Sequence, residues 1–272
     1  MTEGLALKLS AFAQTAAEPV AAFTTATGDV EFETDAVTVN TTEGWRDAKI
    51  GILAKRPRGE AATPAEWATR YLPKPTARFA FAAIEESTVF AGRWGPTAER
   101  LGIDPLSADL TVLGDGADWI WNRASEAFPN ARGVLDIFHA AEHIADTCKA
   151  LFTDAASIRS QREPGRTRLL ADGYAGLTEW VGDSLKQPTV PGPALGTMLN
   201  DFAGHQDRLN YVLRLQRGQS IGSGMVEGAA KNMIGRRLKA NNSRWCATNV
   251  NRMGVICSAM YSGYWEAFWL AA

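Results

Sequence analysis

The chain has 272 residues, 46 % hydrophobic and 21 % charged, a composition that suits a globular protein with one large domain and room for an insertion. A net charge of −2 excludes a uniformly cationic nucleic-acid binder, and no apolar run approaches the ~18–20 residues of a membrane span. The start MTEGLALKLSAFAQTAAEPV lacks the features of a secretory signal, and three scattered cysteines (Cys148, Cys246, Cys257) exclude a disulfide scaffold, so a reducing cytoplasm is the expected home.

Residues 4–23 are Ala/Leu-rich and predict one or two short helices interrupted near Pro19. The stretch DVEFETDAVTVN (29–40) alternates Val30, Phe32 and Thr34 against Glu31, Glu33 and Asp35, a strand period. A turn around Thr42–Gly44 leads into WRDAKIGILAKR, the second strand of a hairpin. After the loop PRGEAATP, ARFAFAAIEES reads as a third strand, and residues 86–101 as helix ending near Gly102 and Pro105. LTVLGDG (110–116) is a short apolar run closing on Gly-Asp-Gly, the way a buried parallel strand delivers a carboxylate to a sheet edge. ADWIWNRASEAF follows with helical spacing and stops at Pro129. GVLDIFH (133–139) reads as another buried strand running straight into the helix AAEHIADTCKALF.

From 153 to 219 no strand-like run occurs; helices are expected near 167–186 and 195–216, parted by QPTVPGPA. A last helical region opens at Gly224, runs through VEGAAKNMIGRRLKA, turns at Asn241–Ser243 and resumes, and YSGYWEAFWL is an amphipathic helix covering the core. Three meandering strands followed by two crossover-connected strands predict an α/β, RNase H-like fold with a five-stranded mixed sheet flanked by helices. In that division, 1–27 is an N-terminal helical segment and 28–152 the first part of the core. An all-helical insertion covers 153–219, and 220–272 completes the core.

Three acids stand at telling places in this order: Asp35 along the first strand, Asp115 at the end of the fourth, and Glu227 at the start of the last helical region. In an RNase H-like sheet the first and fourth strands are neighbours and the last helix crosses them, so the three converge. Oxygen ligands of this kind suit two Mg²⁺ ions that activate an attacking hydroxyl and stabilise a leaving oxygen. Each acid alone also reads as an ordinary surface residue. Around Glu227 the surroundings decide, because it is the only acid between Arg208 and Arg252, a segment otherwise rich in Lys and Arg. Lys231 lies one turn on, and the basic side chains of this segment are expected to meet phosphates.

The strings VLGDGADWIWNRASEAFPNARGVLDIFHAAEHI and SIGSGMVEGAAKNMIGRRLKANNSRW resemble the signature blocks of DDE-type bacterial insertion-sequence transposases of the Kra-type group, distant relatives of Mutator-like transposases. ETDAVTV followed by EGWRDAKIG resembles the family's first block, with Ala36 where Gly usually follows the catalytic Asp. The likeness spans roughly 28–265. It implies Asp35, Asp115 and Glu227 as catalytic residues and ligands of Mg²⁺, with Mn²⁺ as substitute. It also implies Asp136 and His139 beside the metal, an alternative to their forming a structural hydrogen-bonded pair. Lys231, Arg236, Arg237, Lys239, Arg244 and Trp245 are the candidate DNA contacts, whereas Trp119, Trp121 and Phe128 recur at core spacing. The implied partners are double-stranded DNA, both element ends and target, and further copies of the chain in a paired-end complex within a bacterial nucleoid.

Two rival readings stand beside this one. His139-Ala-Ala-Glu142-His143 spells the H-x-x-E-H zinc motif of a peptidase, with Glu227 as a third ligand. Family members also carry a further N-terminal DNA-binding region, whereas about 27 residues precede the first strand here. A shortened or domesticated derivative that binds DNA without cutting is therefore the second alternative.

Overall fold

The computed structural model describes residues 2–184, 193–239 and 243–271. Two helices open the chain, α1 (Thr2–Thr15) and α2 (Ala17–Thr25), with the break at Ala16 and Pro19 in the first turn of α2, where a missing N–H does no harm. The alternating stretch then forms β1 (Asp29–Thr41), which returns through a two-residue turn as β2 (Gly44–Arg56), followed by β3 (Ala77–Ile84). Two short helices, α3 (Ser87–Ala91) and α4 (Trp94–Arg100), precede β4 (Leu110–Gly114); α5 (Asp118–Ala127) crosses to β5 (Arg132–Leu135).

The sheet order is β3-β2-β1-β4-β5, with β1, β2 and β3 antiparallel and β4 and β5 parallel to β1. This is the α/β, five-stranded mixed sheet of the RNase H-like topology.

One expected boundary moves. GVLDIFH is not strand throughout: β5 ends at Leu135, and Asp136 caps helix α6 (Ile137–Leu151) by accepting from the Phe138 N–H at 2.6 Å. An aspartate at this junction satisfies an amide that the helix start would otherwise leave unpaired, which is stronger than another strand residue's claim to the position.

The stretch expected to be all helical contains α7 (Ala155–Ser184), α8 (Pro193–Ala203), a 3₁₀ turn (Gln206–Arg208) and α9 (Tyr211–Gln216). Helix α7 bends at Gly173, whose φ of 57° suits glycine alone among common residues. Most of the expected QPTVPGPA loop lies outside the described residues. Buried Tyr211 donates from its hydroxyl to the Leu135 carbonyl at 2.9 Å, and buried Arg214 donates to the Ser220 carbonyl at 2.6 Å, so α9 is pinned to the sheet edge.

The last region is α10 (Gly224–Ala229), a π-helical stretch (Ala230–Gly235), α11 (Arg236–Leu238), α12 (Ala247–Ser262) and α13 (Trp265–Ala271). The expected turn at Asn241–Ser243 lies mostly outside the described residues.

Apolar side chains cover both faces of the sheet. On one, Phe32, Leu53, Phe79 and Val112 pack with Phe90, Trp94 and Phe128. On the other, Ile50, Ile52, Ala80 and Ala82 pack with Val226, Ala229, Met233, Leu238 and Val250. Phe128 and Trp121 are buried in the first cluster and Trp119 packs against it, as their spacing predicted. Phe268 of α13 is also buried there. Among the described residues no helix is long and apolar enough to cross a membrane.

Candidate active site at the sheet edge

The strand register does the gathering. Glu33 pairs with Leu113 across β1 and β4, and Gly114 pairs with Leu135 across β4 and β5. Continued one residue past the ends of β4 and β5, this register sets Asp115 and Asp136 level with Asp35 of β1. The Asp136 N–H donates to the Gly114 carbonyl at 2.8 Å and fixes that alignment.

Each carboxyl has a distinct setting. Asp35 accepts from the Ala36 N–H at 2.6 Å; burial raises its pKa, that bond opposes the rise, and the charges of Asp115 and Asp136 add to it. Asp115 accepts from the Ala117 N–H at 2.9 Å, while its carbonyl takes the Trp121 indole N–H at 2.8 Å, so the Gly-Asp-Gly loop is held at both its side chain and its backbone. A Cβ on Gly116 would stand 2.9 Å from the His139 Nε2, so the ring would have to shift to admit one. Asp136 is 2 % exposed, and its second oxygen accepts from both the N–H and the hydroxyl of Ser223. It therefore ties the head of α6 to the start of α10, the helix that carries Glu227.

Glu227 lies on the outer side of α10, and its carboxyl is pushed up to about 7. Partial burial is the largest cause, followed by the charge of Asp136 and a hydrogen bond to it, then Asp35 and Glu142. Burial and the neighbouring carboxyl charges thus favour the protonated forms of Asp35 and Glu227. That is the electrostatic signature of a place short of positive charge.

Asp136 and His139 do not form the hydrogen-bonded pair that their spacing allowed. Asp136 spends its oxygens on Phe138 and Ser223, and the His139 ring instead lies 4.4 Å from that of His143. Burial, with the neighbouring His143, lowers the pKa of His139.

Sequence reasoning missed Glu31 and Glu33, whose alternation with Val30 and Phe32 suggests an ordinary wet face. Both are buried, at 2 % and 0 % exposure, beneath α10 and its neighbours. Glu31 is neutralised by Arg56, whose Nε lies 2.8 Å from its carboxylate. Glu33 accepts from the Val226 N–H at 2.8 Å, and burial together with the Glu31 charge raises its pKa well above the usual range. Glu33 thus links the strand of Asp35 to the helix of Glu227. The signal was available only as an excess of acids on one strand.

The chain matches no protein-family model, and no curated protein matches it.

The carboxyls at this edge offer oxygen donors, with the His139 ring beside them, and oxygen suits a hard divalent cation better than zinc. As the side chains stand, no group of three or more His, Cys, Asp or Glu among the described residues is close enough to hold a metal ion. That holds for the H-x-x-E-H residues too. His139 and His143 share a face of α6 as the motif requires, but no third ligand completes a set with them.

Of the expected DNA contacts, Lys231, Arg236, Arg237, Lys239 and Arg244 are all exposed on the segment that follows Glu227. Trp245 departs from expectation. It is not in a free turn but pairs with β1, its N–H donating to the Asn40 carbonyl at 3.1 Å. Its indole N–H donates to the Leu238 carbonyl, and the ring packs on the second core cluster. The freely exposed indole nearby is Trp45 at the hairpin tip, 70 % exposed.

Proposed function

We propose that this chain is the catalytic core of a DDE-type transposase, cutting and rejoining DNA by metal-dependent phosphoryl transfer. The observation that carries the reading is the gathering of Asp35, Asp115, Asp136 and Glu227 from β1, the end of β4, the head of α6 and α10, where burial first and neighbouring carboxyl charges second raise the pKa values of Asp35 and Glu227. Asp35, Asp115 and Glu227 would hold Mg²⁺ or Mn²⁺, which when bound supplies Lewis-acid stabilisation of the attacking and leaving oxygens.

The rest falls to the chain itself. Ser223 and Asp136 orient the helix of Glu227, and the Ala117 N–H and Trp121 indole orient Asp115. Lys231, Arg236, Arg237, Lys239 and Arg244 neutralise phosphates and set the register of the duplex. Water then attacks the phosphodiester at an element end, and the freed 3′-hydroxyl attacks target DNA. Two such chains in a paired-end complex would bring both ends to one target.

Cleavage of a labelled duplex carrying candidate element ends, in Mg²⁺ or Mn²⁺, tests this. Metal-dependent nicking by the wild type, lost in Asp115→Asn and in Glu227→Gln, is the expected result. Binding without nicking by the wild type would instead identify a derivative that only binds DNA.

A further inference from the structure

All three histidines of the chain line one cavity of about 660 Å³, inside the ~300–1,000 Å³ range of ligand clefts. It adjoins the Asp115 loop: Gly116 and the head of α5 form one wall, His139 and His143 of α6 a second. The third wall is the insertion, through Asn200, Asp201, Phe202 and His205.

The walls are flat rings held in place. The His143 ring meets Phe202 edge-on at 6.1 Å, and His205 lies 5.9 Å from the Trp121 ring. His205 is fixed from both sides. One ring nitrogen meets Arg208 at 2.9 Å, and the ring also hydrogen-bonds the Gly116 backbone.

The polar groups then narrow the occupant. Arg208, the one arginine of the lining, turns one Nη to His205 and the Gly204 carbonyl and lies over the face of Trp121. The rim instead carries the acids Asp118 and Asp201, the latter 3.7 Å from the His143 ring nitrogen, and the amides of Asn122 and Asn200. Carboxylates repel an anion and accept from an amino group; amides read an edge that has both a donor and an acceptor.

We propose that this cavity receives one unpaired nucleobase bearing an exocyclic amino group, from the DNA strand whose phosphate lies at the carboxylates. Imidazole faces stack on the base, and the Asn and Asp side chains take its edge. Thymine, with no amino group, is the base it disfavours. The helical insertion thereby acquires a role, since α8 and the following turn supply one wall of the lining. This rests on the transposase reading, and the test separates the two.

Binding of a fluorescent duplex would be measured by anisotropy in four forms: fully paired, with one unpaired adenine, with one unpaired thymine, and with an abasic residue in place of the unpaired base. The expected result is that the unpaired adenine binds about tenfold tighter than the paired, thymine and abasic forms. His143→Ala and Asn200→Ala should each erase that preference. Arg236→Ala with Arg237→Ala should weaken all four forms and keep the ratio. Equal binding of adenine, thymine and abasic forms overturns the pocket while leaving DNA binding intact. Failure to bind any form overturns the DNA reading and the pocket with it.

Discussion

Replacing Arg56 with Met would strand the carboxylate of Glu31 beneath the helices that cover the sheet. The pair is buried on both sides, with side-chain exposures of 10 % and 2 % and a 2.8 Å contact, and Arg56 also donates to the Pro73 carbonyl at 2.7 Å. Removing one partner of such a pair typically costs about 3–5 kcal/mol, because the other charge stays buried without compensation. The escape is for the stranded carboxylate to take up a proton, which for an ordinary glutamate costs about 4 kcal/mol at pH 7 and about 1 kcal/mol at pH 5. Arg56→Met should therefore lose about 4 kcal/mol at pH 7 and clearly less at pH 5. Glu31→Leu combined with Arg56→Met should recover part of the loss, since the pair then leaves together and only the attraction of Glu31 for Arg70 and Arg214 is forgone. Urea unfolding of the four proteins of this cycle, in EDTA at both pH values, measures each quantity. A single-variant loss below about 1 kcal/mol at pH 7, or a double variant no more stable than Arg56→Met, would refute the claim that a buried charge governs this position.

Three other outcomes are expected. Gly116→Ala should push the His139 ring away and disturb the Asp115 loop, lowering metal-dependent nicking at least tenfold while the thermal midpoint moves by only a few degrees. His205 has its pKa lowered by burial and by Arg208. The fold thus favours the neutral ring, and stability present above the ordinary histidine value of 6.5 is lost as pH falls through the lowered one. His205→Gln should flatten that acid-side loss, and thermal unfolding between pH 7 and 5 that stays parallel to the wild type would contradict it. Substituting Arg236 and Arg237 with Ala should reduce the slope of log affinity against log salt by about 2, as two phosphate contacts require; an unchanged slope removes both from the DNA contact set.

Much of the fold could be read from local pattern. The strand period of 29–40, the Gly-Asp-Gly after an apolar run and the two-residue hairpin turn are short-range signals, and short-range sterics decide them. Asp115 was legible for that reason. Glu31 and Glu33 were not, because alternation separates two faces without saying what covers each. Their burial depends on Arg56, 25 positions away, and on Val226, 193 positions away. Asp136 was misplaced on a strand since an N-cap and a strand end share the same backbone region. The π stretch after Glu227 left no mark in the apolar spacing, as Val226, Ala229, Met233, Ile234 and Leu238 reach the sheet through it. His139 was expected at the end of a strand, and instead it shares one face of α6 with His143. Only the return of the insertion, with Asp201 and His205, shows that the pair walls a cavity.

The bond from the Val226 N–H to Glu33 has a bearing on biosynthesis. The five strands are complete once Leu135 has left the ribosome, but the helix that carries Glu227 follows 92 residues later. At ordinary elongation rates that interval is roughly 5–20 s. During it, Asp35, Asp115 and Asp136 can stand together at the sheet edge with neither Ser223 nor Glu227 to meet them. A nascent chain of this protein can therefore form its sheet well before it acquires its fourth carboxyl, and whatever needs all four must wait until Glu227 has been made.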